Sequence, residues 1–166
     1  EKKKINVLAY RFLMASEIWV FLNLTLALLM SIPTLNYFMH GTHITVAHSM
    51  GTTIGINTTI LLASVSFIIS KLINENRLES SKLVTVGFYI FNWSLLLFWL
   101  VLIVGGIYKA LFYVETPNAA FGSLQESSSS IFMAFIISGC ILFSGLAMLT
   151  IPMIKRLLSV IYAKEN

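Results

Sequence analysis

The residues of this 166-residue sequence that are best suited to chemistry lie in one short stretch. All three histidines fall within nine positions, at His40, His43 and His48, and Met50 follows closely. Imidazole and thioether groups are both established axial ligands of haem iron, and a thioether ligand raises the reduction potential. Zinc or copper matches this set less well, because no cysteine or carboxylate stands near these histidines in the sequence. These residue types are compatible with haem ligation by His48 and Met50.

Helical spacing places His48 and Met50 on opposite flanks of one helix, because two residues correspond to about 200° of rotation. The face of His48 carries small side chains that leave room for a flat macrocycle: Thr52, Gly55, Thr59, Ala63 and Ser66. The face of Met50 carries Thr53, Ile54, Asn57, Leu61 and Ser64. One helix would then ligate two irons. The alternative is that His48 hydrogen-bonds a neighbouring helix and that Met50 is an ordinary packing residue.

The elements that position these residues are predicted to be membrane spans. Hydrophobic residues make up 57% of the chain and charged residues 11%, and the mean hydropathy is +0.86. A water-soluble chain of this length could not bury so much apolar surface in one core. Four segments are apolar and long enough to cross about 30 Å of hydrocarbon as helices, at 8–38, 44–70, 84–112 and 129–154. The sequence therefore predicts an all-α membrane protein with four transmembrane helices.

The basic residues predict the orientation of these spans. Ten of the eleven lie before or at the start of the first span, between the second and third spans, or after the fourth, whereas Lys109 lies toward the other side. By the positive-inside rule both termini are cytoplasmic, and the turn at 39–43 and the loop at 113–128 face outward. Because lysine and arginine are confined to the ends of segments, the composition favours membrane topology and no nucleic acid partner.

Other residues have predicted roles within the helices. Thr42 is expected to N-cap the second span, after a turn relaxed by Gly41. Glu17 lies near the middle of the first span, so a proton-handling role and a structural hydrogen bond are both open for it. Close approach between helices is expected at the small residues Gly105, Gly106, Ser138, Gly139, Ser144 and Gly145.

Residues 36–48 also match a known family pattern, Asn-Tyr-Tyr-x-His-Gly-Thr-x-x-Thr-x-x-His-Gly-His. The positions in register are Asn36, Tyr37, His40, Gly41, Thr42, Thr45 and His48. This run resembles the junction of the ninth and tenth helices in the large subunit of bacterial nitric oxide reductases, which belong to the haem–copper oxidase superfamily. The third and fourth spans are similar to the eleventh and twelfth helices. The resemblance thus covers residues 1–166 but only the last third of a family member, and it implies one transmembrane part of a larger catalytic subunit.

By this resemblance His48 matches the proximal ligand of the high-spin haem b₃, where substrate is reduced. Position 50 matches a ligand of the low-spin haem b, and Met50 stands where the family has histidine. The resemblance implies either a low-spin haem with His/Met ligation and an altered potential, or a haem that is bound differently or missing. His40 and His43 lie where the family places its haem propionates, and hydrogen bonds from them to propionates are a hypothesis.

The resemblance also implies that this chain is not catalytic alone. The family's non-haem iron is held by histidines and a glutamate on earlier helices, and the other ligand of haem b lies on an early helix. With the remaining helices of the large subunit, the enzyme would reduce two NO to N₂O and water in the bacterial inner membrane. Its electron donor would be a cytochrome c subunit or quinol. The alternatives are an oxygen reductase or NO dismutase on the same scaffold, and a non-catalytic haem-binding or structural subunit.

Overall fold

The computed structural model describes residues 6–73, 81–118 and 120–165, and these ranges contain helices and no strand. Helix α1 comprises Val7–Ser31, α2 Pro33–Met39 and α3 His43–Met50. A π-helical segment at Gly51–Thr58 follows, and it leads directly into α4 at Thr59–Ile73. The remaining helices are α5 at Lys82–Glu115, α6 at Phe121–Ser127 and α7 at Ser129–Glu165.

Four helical stretches of the described ranges are long and apolar enough to cross a membrane. They are Val7–Ser31, His43–Leu72, Lys82–Glu115 and Ser129–Ser159, and they are called spans one to four below. The predicted all-α architecture with four membrane-length helices is therefore confirmed. The predicted limits differ mainly at the ends. Span three continues to Glu115, and α6 lies within the region predicted as the 113–128 loop. Residues 74–80 of the other predicted loop lie outside the described residues.

Two prolines have opposite effects on the predicted spans. The predicted first span, 8–38, is interrupted where α1 ends at Ser31, and Ile32 is extended with a ψ of 118°. Pro33 then occupies the start of α2, where its missing N–H costs no hydrogen bond. Pro152 lies inside α7, which continues beyond it. Pro33 therefore marks the start of a helix, whereas Pro152 is accommodated inside one.

The spans form a bundle in which consecutive helices are neighbours. Span two packs against α1 on one side and α5 on the other, and α5 packs along α7. The most deeply buried large side chains are Phe12, Phe91, Leu95 and Leu149. The outer surface is rich in large apolar side chains such as Phe21, Trp93 and Phe143. A hydrocarbon environment suits such a surface, whereas water does not.

Two glycines bring neighbouring helices into backbone contact. A Cβ atom on Gly106 would lie 2.6 Å from the backbone nitrogen of Ile44. A Cβ on Gly145 would lie 2.7 Å from the backbone nitrogen of Phe91. Since neither backbone can move aside without separating the helices, these positions require glycine. The close approach predicted for them is confirmed.

The other small residues predicted at helix contacts behave differently from one another. Ser138 is fully buried, and a Cβ on Gly105 would lie 3.1 Å from Cγ2 of Ile131. Gly139 is less constrained, because a Cβ there would lie 3.5 Å from the Phe98 ring, which is an ordinary contact. Ser144 is exposed, and its hydroxyl donates to a carbonyl of its own helix. The prediction of a close contact at Ser144 is wrong.

Candidate functional site

The segment that carries the histidines begins at a tight turn. Gly41 has a φ of 71°, in the left-handed region that favours glycine. Thr42 is the N-cap of α3, and its hydroxyl accepts a hydrogen bond from the Ile44 N–H at 3.2 Å. Lys109 Nζ donates to the Gly41 carbonyl at 2.9 Å, which ties the turn to α5. The predicted cap is therefore confirmed, and the start of α3 is fixed at the end of the bundle.

His48 lies in the last turn of α3 and is half-buried. Its Nδ1 is buried and has no hydrogen-bond partner among the described residues. Its Nε2 is not among the buried unpartnered atoms and forms no hydrogen bond in the same ranges, so this atom is at least partly exposed. Buried polar atoms are nearly always hydrogen-bonded. The buried Nδ1 therefore has no partner in the described part of the chain, and the exposed Nε2 is open to a ligand or a further helix.

Met50 is half-buried and packs against the hydrophobic core. Helix α3 is regular from His43 to Met50, so the side chains of His48 and Met50 leave it about 200° apart. The opposite-flank arrangement expected from their spacing therefore follows from the helix itself. Each flank presents one donor that suits haem iron, an imidazole on one and a thioether on the other.

Directly after Met50 the helix widens into the π-helical segment, where N–H groups bond carbonyls five residues back. Threonine hydroxyls donate to carbonyls of this segment. Thr58 Oγ1 donates to the Thr53 carbonyl at 2.9 Å, and Thr59 Oγ1 donates to the Gly55 carbonyl and, at 2.9 Å, to that of Ile56. The constant rotation of 3.6 residues per turn assumed for the two faces of this span does not hold across Gly51–Thr58.

The space predicted beside the small residues below His48 is filled by span one. Gly55, Thr59, Ala63 and Ser66 are all buried. A Cβ on Gly55 would lie 2.6 Å from the Trp19 ring, so the indole covers this face directly. The prediction that this face leaves room for a macrocycle is wrong, because the small residues serve helix packing. A macrocycle bound at His48 would have to lie on the exposed side of the ring, at Nε2.

One polar side chain of span one is linked through Thr52 to the backbone of His48. Asn23 Nδ2 donates to Thr52 Oγ1 at 2.6 Å, and the Thr52 hydroxyl donates to the His48 carbonyl at 3.2 Å. Asn23 Oδ1 and Trp99 Nε1 are both buried without a partner in the described part of the chain. They lie 2.5 Å and 3.3 Å from the position of a Cβ on Gly51, so this acceptor and this donor share the space beside the glycine. Three spans therefore meet one turn below His48.

Sequence reasoning missed Asn23 and Trp99. An asparagine in the middle of an apolar span is the signal that identifies such a contact, because it needs a protein partner there. Its partners could not be named from the sequence. They lie on two other spans, and the register between spans depends on the packing of Trp19 against Gly55.

The other two histidines lie in different surroundings. His43 lines a cavity of about 360 Å³ between α3, α5, α6 and α7, and its ring contacts Phe132 edge-on at 5.8 Å between centroids. Its Nδ1 is buried without a partner among the described residues. His40 is exposed at the turn and borders a separate cavity that includes Lys109. No group of three or more His, Cys, Asp or Glu side chains in the described ranges could hold a metal ion.

Comparison with protein-family models, with curated proteins and with solved structures found no match to this chain.

Proposed function

We propose that this chain is the carboxy-terminal, haem-ligating membrane portion of a nitric oxide reductase-like enzyme of the bacterial inner membrane. The observation that carries the proposal is the imidazole of His48, which lies in a membrane-length helix and has a partly exposed Nε2 without a partner in the described part. It lies in the segment whose sequence resembles the haem b₃-binding helix of that family. By the positive-inside rule, the basic residues favour cytoplasmic termini and an outer position for α3.

The residues present fit a haem as donors. His48 would hold the high-spin haem b₃ through Nε2, and Met50 would hold the low-spin haem b on the opposite flank. When bound, haem b₃ supplies the iron at which NO is reduced. The hydrogen bonds from Asn23 through Thr52 to the His48 carbonyl keep the backbone of the ligand in place. Hydrogen bonds from His40 and His43 to the propionates stay a prediction.

The complete reaction combines two NO, two electrons and two protons to give N₂O and water. It needs the family's second, non-haem iron, whose ligands would come from the remaining helices of the large subunit. Electrons would enter from a cytochrome c subunit or from quinol. This chain would contribute the proximal side of the substrate-reducing haem and one ligand of the electron-entry haem, and it would not catalyse the reaction alone.

The proposal is tested on the complex purified from its native membrane. We expect haem b in a pyridine haemochrome assay, and N₂O as the product when NO and an electron donor are supplied. Oxygen consumption without N₂O formation would instead support the oxygen reductase, and formation of O₂ from NO would support the dismutase. A complex that contains no haem would contradict the proposal and support the interpretation of this chain as a structural subunit.

Replacing Met50 with alanine is expected to change the low-spin haem spectrum and to lower its reduction potential, because a thioether ligand raises the potential of haem iron. Redox titration followed by visible spectroscopy measures both. Met39 is a matched control, since it is also half-buried and packs against the core. Met39→Ala should leave spectrum and potential unchanged. If Met50→Ala also leaves them unchanged, Met50 is not a ligand.

A further inference from the structure

Two polar atoms in the interior of the bundle have no hydrogen-bond partner and border the same point on span two. Asn23 Oδ1 is an acceptor on span one, and Trp99 Nε1 carries a donor N–H on span three. A Cβ on Gly51 would lie 2.5 Å from the first atom and 3.3 Å from the second. Buried polar atoms are nearly always hydrogen-bonded, yet no described residue bonds either of these two.

A further helix cannot supply the missing partner. Asn23 is 3% exposed and Trp99 is 7% exposed, so the bundle formed by this chain already encloses both side chains. Glu17 on the same span differs, because its side chain is exposed and a group outside the chain can reach it. The partner of Asn23 and Trp99 is therefore a small molecule that fits inside the bundle.

The spacing of the two atoms suits a single bridging molecule. Trp99 Nε1 and Asn23 Oδ1 do not bond each other, since both lack a partner among the described residues. They are separated by no more than their two distances from the Cβ position on Gly51 combined. One molecule with a hydrogen bond of about 2.9 Å to each atom spans such a gap.

The bridging molecule must accept one hydrogen bond and donate another. A metal cation would suit the oxygen of Asn23 but would be repelled by the indole N–H of Trp99. An anion would suit the N–H but would be repelled by the oxygen. A water molecule accepts and donates, and buried waters typically bond two to four polar groups that otherwise have no partner. The two side chains together match water and neither kind of ion.

We propose that one water molecule is bound beside Gly51, where it accepts from Trp99 Nε1 and donates to Asn23 Oδ1. It extends the hydrogen bonds that run from Asn23 to Thr52 and on to the His48 carbonyl, at 2.6 Å and 3.2 Å. Spans one, two and three are thereby joined by one chain of hydrogen bonds at the start of the π-helical segment. The proposal depends on these buried atoms alone, so it holds whether or not the chain binds haem.

Cryo-electron microscopy of the complex in lipid nanodiscs tests the proposal, at a resolution that shows ordered water. We expect density for one water molecule within hydrogen-bonding distance of both Asn23 Oδ1 and Trp99 Nε1. A direct hydrogen bond between the two side chains would overturn the proposal. Two unpaired atoms with no density between them, or density for a group larger than water, would also overturn it.

Nuclear magnetic resonance of the indole N–H provides a second measurement. The Trp99 signal is identified by its loss in Trp99→Phe. Asn23→Leu removes the acceptor, so the water should leave and the indole proton should shift upfield as its hydrogen bond is lost. Asn92→Leu is the matched control in span three, because Asn92 Nδ2 donates only to the Phe88 carbonyl of its own helix, at 2.8 Å.

The Trp99 signal should be unchanged in Asn92→Leu. An unchanged signal in Asn23→Leu as well would show that Asn23 does not hold the water, and it would overturn the bridge. The density in the unmodified complex remains decisive if Asn23→Leu fails to assemble.

Discussion

Replacing His48 with alanine is expected to remove the high-spin haem from the assembled enzyme and to abolish NO reduction. Alanine has no donor for iron, and the neighbouring side chains offer no replacement, since no other histidine lies within one turn of His48. If Met50 holds the low-spin haem on the opposite flank, that haem should remain. The pyridine haemochrome assay should then report about half of the haem b of the unmodified enzyme, given one high-spin and one low-spin haem.

The matched control for this variant is Ser49→Ala. Ser49 is adjacent in sequence and exposed, and its hydroxyl donates only to the Thr45 carbonyl of its own helix. Its replacement tests whether any change in α3 disturbs haem binding. Full haem content in Ser49→Ala together with a halved content in His48→Ala supports ligation. Full content in both variants would remove His48 from the coordination sphere and with it the observation that carries the proposed function.

Replacing Gly145 with alanine is expected to lower the free energy of unfolding by about 1–3 kcal/mol, the usual range for overpacking a close contact. The added methyl group would lie 2.7 Å from the backbone nitrogen of Phe91 and 2.9 Å from its Cα atom. Because both atoms belong to the backbone of α5, only a separation of α5 and α7 relieves the overlap. Equilibrium unfolding of the purified chain in mixed detergent micelles measures the change.

Gly139→Ala provides a control in the same helix. Its Cβ would make an ordinary contact with the Phe98 ring, at 3.5 Å, so its stability should change little. Both substitutions exchange glycine for alanine in α7, and their comparison removes the general effect of that exchange on a helix. Equal stability of the two variants would show that the contact between Gly145 and Phe91 is looser than the structure describes.

The positions of the spans could be predicted because a membrane demands length and apolarity, and both are legible in one sequence. The N-cap at Thr42 could also be predicted, since capping depends only on local sequence: a threonine that follows a glycine turn and precedes an apolar run. The ends of the helices were harder to predict from the sequence. Helix α7 continues to Glu165 past the last apolar residues of the predicted span, because hydropathy detects lipid contact and not the helix itself. Ile32 is extended because a proline disfavours helical backbone in the residue before it, and this effect of Pro33 was not applied to the predicted first span.

The surroundings of the candidate ligands could not be predicted in the same way. Small residues at helical spacing suit both a macrocycle and a tightly packed helix, and only the partner span distinguishes them. The structure shows Trp19 over Gly55, so packing accounts for that face. The π-helical segment was also missed, because the faces were drawn with a constant 3.6-residue period. The ligand assignments of His48 and Met50 stay predictions, since they concern groups and helices beyond this chain.

The wide turns at Gly51–Thr58 change the rotation of α4 about the helix axis relative to α3. In a uniform α-helix this relative rotation would be fixed. Above them, the azimuth of His48 and Met50 is set by contact with α5, where Ile44 meets Gly106. Below them, the azimuth of α4 is set by its docking on α1. In an unbroken α-helix the angle between these two directions would be fixed by the number of residues between them. The π-helical stretch provides an offset between them, so the direction of the His48 and Met50 side chains can differ without a change in the contact between α4 and α1.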